Sequence, residues 1–465
     1  MKRTVFFLFV AATLVASMFP TATFGQGHNQ KHTYRTTTVP LQGTTPEQAF
    51  RDSQAGTTLP MWQYTIKSPA DGRNYTGWIL GRKYGTPGPN ASGTTLIPTY
   101  VVPLDVQLLD ENGDVVRELD PTLPDPGCLN TQLTPTQIVG NSPLFNDSKI
   151  HWGGEDIGTT QYVDAQLRAE FWTLVQASVL PWHNKFQGFM LPKETVQVPR
   201  QFWTDNGDIN CDLYVTVDYN WIDNYLKYTL IPSLANQGVG PTTLPVVLTY
   251  QVLQGGAAGY HSGYGQPAQF YSIAEFDSHG DIGVLSHELA EVMNNPLVDN
   301  GTPAWGHIGQ VPGCQANFEV GDNLTPVQNP EIEMNDFTYH PQEVSFISWF
   351  YRSTNWGVGK LYSSNDSLVT DAGEVCSDFE PLVVATPNAA PVGTEVEASL
   401  SRFPANTDVT IFFNGEELDT ILTDENGNGS LTFDVPDSLD GEKQILANFD
   451  NGTGYAWFIV TDLLP

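Results

Sequence analysis

The sequence predicts an α+β main domain, in which helices and strands are mixed, followed by an all-β domain at the C-terminal end. Helical and strand-like patterns alternate irregularly over residues 61–378, without any repeat. From residue 379 to residue 465 the helical period disappears, and short runs of β-branched and aromatic residues alternate with Asn-Gly and Asp-Gly turns. A chain of 465 residues also exceeds one typical hydrophobic core, so two domains are expected.

The first 25 residues have the pattern of a secretory signal peptide, because Lys2 and Arg3 precede a short apolar run over residues 4–18. That run is short and interrupted by Thr and Ser, and no second apolar run is long enough to span a membrane. Residues 26–60 are rich in Thr, Gln and Gly, which predicts a flexible, poorly ordered lead-in. We therefore expect a secreted or cell-surface protein without a transmembrane segment in the mature chain.

Charge and cysteine content narrow the classes of partner. The chain has 20 basic and 52 acidic residues, a formal net charge of -32, and no polybasic run, so a nucleic-acid partner is not expected. An acidic surface is typical of extracellular proteins and favours a bound cation. The chain has four widely spaced cysteines, Cys128, Cys211, Cys314 and Cys376, and none of them forms C-x-x-C. In an exported monomer they predict two disulfides, with three alternative connectivities.

Strands of the main domain are predicted where β-branched and aromatic residues run between Gly, Pro and Asn: residues 75–80, 99–109, 115–119, 245–253 and 269–275. The segment 110–114 contains Asn-Gly, which predicts a hairpin turn rather than a calcium loop. Residues 121–146 are rich in proline and are expected to be irregular.

Helices are predicted at three places outside the centre of the chain. One follows the Thr-Thr pair at 159–160, which is a suitable N-cap. Another lies within residues 215–234 and should end at Pro232. A third is expected to begin with Pro341 at its first position and to run to residue 352.

The central helix lies after Asp281 and carries the pattern H-E-x-x-E at residues 287–291. At about 100° per residue, an apolar stripe clusters on one side of this helix: Ile282, Leu285, Leu289, Val292 and Met293. His287 and Glu291 point nearly opposite, with Glu288 between them. This arrangement fits a helix that forms the floor of a cleft, and it fits equally a helix with a solvated polar face. Pro296 is expected to end the helix.

The same helix predicts a metal site. Positions i and i+4 share one helix face, so His287 and Glu291 can bind one ion while Glu288 acts as a general base on water. This is the zincin-like geometry of the H-E-x-x-H helix in zinc peptidases, with a carboxylate in place of the second imidazole. The expected cofactor is zinc.

Three motifs surround this position: G-Y-H-S at 259–262, H-E-L-A-E-V followed by N-P-L-V within 287–298, and E-V-G-D at 319–322. Together they resemble the plant EXORDIUM, or phosphate-induced, family and its bacterial secreted relatives, over this central region alone. The family has a Cys just before G-Y-H and another after E-x-x-D, whereas this chain has Ala258 and Leu324. The resemblance implies an extracellular, cell-wall-associated protein.

In that context the third metal ligand is expected from Asp322, Glu319 or His261. The alternative is a polar helix face beside a capped loop, in which Glu319 and Asp322 accept hydrogen bonds from backbone donors. The functional prediction is a secreted metalloprotein, with zinc-dependent hydrolysis of extracellular peptides or polysaccharides as the expected reaction. The other prediction is a non-catalytic extracellular binding or adhesion protein.

The C-terminal region contains seven strand-like runs, at residues 382–385, 395–400, 408–413, 420–423, 430–435, 443–448 and 455–461. Seven short strands separated by turns predict an immunoglobulin-like β-sandwich. The stretch from Thr423 to Pro436 resembles bacterial surface modules of that kind, which act as spacers, binders or anchors. Residues 379–465 are therefore expected to support the main domain rather than to catalyse.

Overall fold

The computed structural model describes residues 41–87, 93–205, 215–276, 281–305, 315–324, 329–368, 381–438, 441–449 and 452–461. The signal peptide expected at residues 1–25 and the domain boundary expected at 378/379 lie outside this description. Among the described residues, no helix is both long and apolar enough to cross a membrane. Cys128 is disulfide-bonded, and the other three cysteines lie outside the described ranges, so the predicted connectivities stay open.

The described helices are α1 Pro46–Gln54, α2 Pro126–Leu129, α3 Pro135–Asn141, α4 Tyr162–Glu170, α5 Trp172–Ala177, α6 Tyr219–Tyr225, α7 Ile231–Ser233, α8 Gly283–Asn294 and α9 Ile347–Tyr351. The strands that precede residue 369 are β1 Met61–Lys67, β2 Asn74–Leu80, β3 Thr94–Leu109, β4 Val115–Leu119, β5 Ser148–Trp152, β6 Glu155–Thr160, β7 His183–Met190, β8 Glu194–Val198, β9 Trp203–Asp205, β10 Val215–Val217, β11 Leu244–Tyr250, β12 Val252–Gln254, β13 Gly259–Tyr264, β14 Gln269–Phe276, β15 Gly301–Trp305, β16 Gln315–Asn317, β17 Ile332–Met334 and β18 Phe337–Tyr339. This mixture of helices and strands confirms the predicted class of the main domain.

A seven-stranded mixed sheet organises the main domain. Its order is β13-β14-β11-β3-β4, and β7 and β8 both pair with β3. The 16-residue β3 is long enough to pair in parallel with β11 along one edge and with β7 and then β8 along the other. The strands predicted at 245–253 and 269–275 are present as β11 and β14, which pair in parallel. The predicted turn at 110–114 joins β3 to antiparallel β4, and Asp110 N–H donates to Asp114 O at 2.9 Å.

Both faces of this sheet are covered, because every residue of β11 is buried. Alternate residues of a strand point to opposite faces. Leu248 accordingly packs in the core cluster that contains Leu285 and Leu289 of α8, whereas Val247 packs with Leu226 and Leu230 in a second cluster. Buried strands of this kind are rich in β-branched and aliphatic residues throughout, as β11 is.

Every element that the structure describes between residues 381 and 461 is a strand. These are β19 Leu382–Thr386, β20 Ala389–Pro391, β21 Glu395–Ser401, β22 Asp408–Phe413, β23 Glu416–Leu422, β24 Gly429–Asp434, β25 Gly441–Phe449 and β26 Gly452–Thr461. They form one sheet of order β19-β21-β24 and another of order β20-β26-β25-β22-β23. Alternate residues such as Val396 in the first sheet and Ile411 in the second share one hydrophobic core. Each of the seven predicted strands is present, and β20 is additional.

The predicted flexible lead-in is wrong for its last part. Thr45 caps α1 through its side chain, which accepts from Gln48 N–H at 3.2 Å, and Pro46 occupies the first turn. Ala49 and Leu59 are fully buried in the main core. Part of this Thr-rich stretch is therefore the start of a helix, and the apolar residues within it are core residues.

Two local predictions are wrong because cap chemistry and helix geometry outweigh the position of proline. The proline-rich stretch contains α2 and α3, and α3 begins with a capping box between Thr134 and Gln137. Pro232 does not end its helix, since helical backbone continues to Gln237. A π-helical turn at Leu226–Leu230 precedes that proline and changes the hydrogen-bond ladder there.

Two predicted helix starts are also displaced. Helix α4 is present, but its N-cap is Gln161, without a side-chain cap, rather than the Thr pair. The helix expected from Pro341 begins only at Ile347. The intervening backbone is held extended by neighbouring segments, because Ser345 N–H donates to Val320 O and Phe346 N–H donates to Tyr362 O, both at 2.8 Å. These tertiary hydrogen bonds override the local helix signal.

Candidate metal centre

Helix α8 lies inside the main domain, packed against β13, β14, α4 and β2. It follows Asp281, whose φ is 38°, and it ends where Asn295 N–H donates to Glu291 O at 2.6 Å, just before Pro296. All 12 of its residues are buried. The alternative of a solvated polar helix face is therefore wrong, and the polar side of the helix faces the protein interior.

The structure brings all the predicted site residues together in what we call the central cluster: His261, His287, Glu288, Glu291, Glu319 and Asp322. His261 comes from β13, the two glutamates and His287 from α8, and the last two residues from the segment after β16. None of the six is more than 4% exposed. Charged side chains are almost never buried to this degree unless they are paired or bind an ion.

Two glycines, one in the G-Y-H-S motif and one in the E-V-G-D motif, allow the side chains of the cluster to lie this close together. A Cβ on Gly321 would lie 2.4 Å from His287 Nδ1, and a Cβ on Gly259 would lie 2.8 Å from Glu288 Oε1. Any larger residue would displace the imidazole or the carboxylate. The absence of a side chain at both glycines therefore leaves the space that His287 and Glu288 occupy, and neither glycine was predicted to have this role.

Distances within the cluster match the spacing of metal ligands. His287 Nε2 lies 3.1 Å from Glu291 Oε1 and 3.4 Å from Asp322 Oδ1. His261 Nδ1 lies 3.5 Å from Glu288 Oε2 and 3.6 Å from Glu291 Oε2. Two ligands of one tetrahedral zinc ion, each bonded at about 2.0–2.1 Å, are about 3.3 Å apart. The donor atoms are already close to that separation.

Hydrogen bonds on the outer side of each imidazole select which nitrogen faces inward. Gln342 Nε2 donates to Gly321 O at 2.6 Å, so its Oε1 is the atom that accepts from His287 Nδ1, at 3.0 Å. His261 Nε2 lies 3.1 Å from the carbonyl oxygen of Asn295, which can only accept. Both histidines thus present the opposite nitrogen to the carboxylates, as metal-binding histidines do. Sequence reasoning missed both outer-shell residues.

The ionisation of the two histidines reflects the surrounding carboxylates. Burial lowers the pKa of His261, but the close Glu288 carboxylate and the negative charges of Glu319 and Glu291 outweigh burial and raise that pKa to about 9. For His287, burial again lowers the pKa, and Glu291 and Asp322 more than reverse this, so the pKa lies well above its usual value. Without a metal ion both rings favour the protonated form, and a metal must displace those protons.

The carboxylates divide into two kinds. Burial raises the pKa of Glu319, and the charge of Glu291 raises it further. Burial also raises the pKa of Glu288, and the neighbouring histidines only partly offset this. Burial would raise the pKa of Glu291 as well, yet His287 and His261 lower it overall. Of these three glutamates, Glu291 is thus the one most stabilised as an anion, and it also accepts a hydrogen bond from Gly321 N–H at 3.1 Å.

Three buried polar atoms of the cluster make no hydrogen bond to any described residue: His287 Nε2, Glu288 Oε2 and Glu319 Oε2. The carboxylates beside His287 Nε2 and the imidazole beside Glu288 Oε2 lie at ion-pair distance, without hydrogen-bond geometry. Buried polar groups nearly always have a partner, and each unpaired one destabilises a protein by about 1–3 kcal/mol. By contrast, Glu319 Oε1 accepts from Asn295 Nδ2 and Asn317 Nδ2, both at 3.1 Å. Imidazole nitrogen and carboxylate oxygen are donors that suit zinc and other divalent first-row ions. These residues fit a metal ion.

One other acidic group in the described part of the chain has metal-like spacing, formed by Asp105, Glu118 and Asp120. Lys193 already supplies a cation there, with its Nζ 3.5 Å from Asp105 Oδ2 and hydrogen-bonded to Asp120. Glu118 is exposed. The Lys193 ammonium therefore balances the charge of these carboxylates. In the central cluster, the ion pairs among described residues have only histidines as the basic partners.

No family model and no curated protein matches this chain. Among solved structures, a carbohydrate acetylesterase from Xanthomonas citri is 16% identical with a TM-score of 0.14, over 16% of this chain and 17% of that one. A CARDB domain from Pyrococcus furiosus is 18% identical with a TM-score of 0.15, over 17% of this chain and 88% of that one. A lytic polysaccharide monooxygenase from Jonesia denitrificans is 24% identical with a TM-score of 0.12, over 16% and 57%. These partial likenesses carry no functional argument.

Proposed function

We propose that this protein binds a divalent metal ion, zinc in the first place, in the central cluster. The observation that carries the proposal is the set of inward-facing, unpartnered atoms, His287 Nε2, Glu288 Oε2 and Glu319 Oε2. A metal ion would give these atoms the partner that the protein does not supply, and it would offset the negative charge that burial makes unfavourable.

Zinc affinity, measured by competition with a chromophoric chelator, tests this proposal. We expect His287→Ala to weaken binding by more than about 100-fold, since outer-shell changes alone weaken metal affinity by 10–100-fold. Glu170→Gln is the matched control, because Glu170 is a buried glutamate on α4 outside the cluster. The control should bind zinc like the wild type. Equal zinc affinity in the wild type and His287→Ala, with both folded, would exclude the cluster as the site.

We further propose that the metal centre hydrolyses extracellular peptides or wall polysaccharides, with Glu288 as general base. Glu288 is buried beside both histidines, with one unpartnered oxygen that can accept a proton from water. When bound, zinc would supply the Lewis acidity that makes water a nucleophile near neutral pH. The isosteric change Glu288→Gln should retain zinc and abolish hydrolysis of labelled casein or peptidoglycan.

The alternative is a non-catalytic role in binding or adhesion, in which the metal stabilises the main domain. The burial of all six cluster residues favours it, since structural zinc sites are closed and catalytic ones keep an open position. Under this alternative the wild type would show no metal-dependent hydrolysis of casein or peptidoglycan. Glu288→Gln would then change only the stability of the protein.

Location and organisation belong to the same proposal. We infer a secreted or cell-surface monomer related to the EXORDIUM family, on the basis of its N-terminal signal pattern and the motifs at 259–322. We also infer that the two sheets after residue 381, which share one core, form an immunoglobulin-like spacer. N-terminal sequencing of the exported protein tests the first inference, since cleavage near residue 25 is expected and an intact Met1 would contradict it.

A further inference from the structure

Glu291 lies between the two histidines of the central cluster and turns a different oxygen toward each. Its Oε2 is 3.6 Å from His261 Nδ1, and its Oε1 is 3.1 Å from His287 Nε2. The cluster accordingly contains two ligand groups of metal-site dimensions that share this residue. One is His261, Glu291 and Glu319, and the other is His287, Glu288 and Glu291. A carboxylate placed between two imidazoles in this way has the geometry of a bridging ligand.

The number of donors exceeds what one ion needs. A zinc ion in proteins takes about four ligands, whereas the cluster offers two imidazoles and four carboxylates. Unpartnered atoms occur on both sides of Glu291, with Glu319 Oε2 in the group of His261 and His287 Nε2 in the other group. An ion bound in one group would leave the unpartnered atom of the other group unsatisfied.

Formal charge leads to the same result. Four carboxylates carry four negative charges when all are ionised, and the histidines are neutral when they bind metal. One divalent ion would leave two of the four carboxylates either uncompensated or protonated, at residues that are no more than 4% exposed. Two divalent ions balance all four. Buried charge without compensation is strongly unfavourable, so the second ion removes a penalty that the first leaves in place.

We propose that the central cluster holds two divalent metal ions bridged by Glu291, with His261 and Glu319 on one side and His287 and Asp322 on the other. This inference rests on the proposed metal site and extends it. Glu288 can reach either ion, because it belongs to the His287 group and its Oε2 is 3.5 Å from His261 Nδ1. Glu288 is thus placed to act as the proposed general base beside either ion.

The proposal also narrows the chemistry of the site. Two ions about 3.5–4 Å apart are the arrangement by which aminopeptidases, phosphatases and nucleases position the attacking and leaving oxygens. An oxygen-rich donor set with only two nitrogens suits Mn²⁺ as well as Zn²⁺. The class of substrate that fits is an ester or amide whose hydrolysis passes through an oxyanion.

The test is the metal stoichiometry of the full-length exported protein, loaded separately with Zn²⁺ and Mn²⁺ and freed of loosely bound ions. We expect two ions per chain by mass spectrometry, and an electron paramagnetic resonance spectrum of spin-coupled Mn²⁺ rather than isolated ions. Asp322→Asn and Glu319→Gln should each reduce the content to about one ion, with the spectrum of isolated Mn²⁺. Glu118→Gln, at the exposed residue of the acidic group around Lys193, is the control and should retain two.

One ion per wild-type chain, with an uncoupled Mn²⁺ spectrum, would overturn the two-ion site and leave the proposed metal function intact. No bound ion in a folded chain would overturn both. Circular dichroism identifies variants that do not fold. The metal stoichiometry and Mn²⁺ spectrum of the wild type test the two-ion site independently of any variant. A Glu118→Gln chain that lost one ion would place the second ion at the other acidic group, which also contradicts the proposal.

Discussion

Gly321→Ala is the substitution whose effect follows most directly from the geometry of the site. The new Cβ would lie 2.4 Å from Nδ1, 2.7 Å from Cε1 and 2.8 Å from Cγ of His287, so the imidazole must move. A methyl group forced into a packed interior typically destabilises it by about 1–3 kcal/mol. The displaced ring would also weaken the 3.0 Å hydrogen bond between His287 Nδ1 and Gln342 Oε1.

Misplacing a metal ligand should lower metal affinity at least as much as losing an outer-shell partner does, which is about 10–100-fold, or about 1.4–2.8 kcal/mol. Chelator competition measures the affinity, and chemical denaturation of the metal-free protein measures the stability. Gly240→Ala is the matched control, because a Cβ there meets nothing within 4 Å. If Gly321→Ala bound zinc as tightly as Gly240→Ala, the imidazole of His287 would not be a ligand and the reasoning would be refuted.

Three other predictions concern the protonation, the outer shell and the independence of the site. Because the folded pKa of His261 is raised to about 9, above an unfolded value of about 6.5, its contribution is fully present below that unfolded value and is lost as pH rises through 9. The free energy of unfolding of the metal-free protein should therefore fall between pH 6.5 and pH 9, by up to about 3 kcal/mol. His261→Ala should reduce this dependence on pH, and an unchanged dependence would contradict the raised pKa of His261. Gln342→Leu removes the acceptor for His287 Nδ1 and should weaken zinc binding by about 10–100-fold in the same competition assay, and undiminished affinity would show that this hydrogen bond does not orient the ring. Phe458→Ala in the C-terminal core should destabilise that region by about 3–5 kcal/mol without changing zinc affinity, and a parallel loss of zinc binding would contradict separate cores.

The part of the site that lies on one helix could be predicted from the sequence. His287 and Glu291 are one helical turn apart, and helical periodicity alone places them on one face. The burial of that face could not be predicted, because the apolar stripe on the opposite side fits a cleft and a surface helix equally. The packing of α8 against β13 and β14 buries both sides of the helix, and it depends on a sheet assembled from distant segments.

The remaining ligands and the outer shell depend on long-range contacts. His261 and Asp322 were candidates only because their motifs resemble a known family. Gln342 lies 55 residues from His287 along the chain, in a segment that local signals predicted to be helical. Hydrogen bonds such as that from Ser345 N–H to Val320 O hold that segment extended, and this places Gln342 against the imidazole. Nothing local in the sequence encodes that contact.

Turns and helix caps depend on residues a few positions apart, and local sequence patterns predict some of them correctly and others not. The Asn-Gly turn after β3 and the strands beyond residue 381 follow from alternation and turn residues, which act within a few positions. Composition indicated disorder around Pro46 and irregular structure around Pro135, yet each proline follows a threonine that caps a helix. The same residues support both interpretations, and tertiary packing of Ala49 and Ile138 selects the helix.

The proposed metal site is the buried central cluster, which α8, β13 and the segment after β16 form together. Anomalous X-ray scattering at the zinc absorption edge, from crystals of zinc-loaded full-length protein, tests it most directly. We expect anomalous density about 2.0–2.1 Å from His287 Nε2, with Glu291 among the ligands. A folded, zinc-loaded crystal without anomalous density among His261, His287 and Glu291 would contradict it.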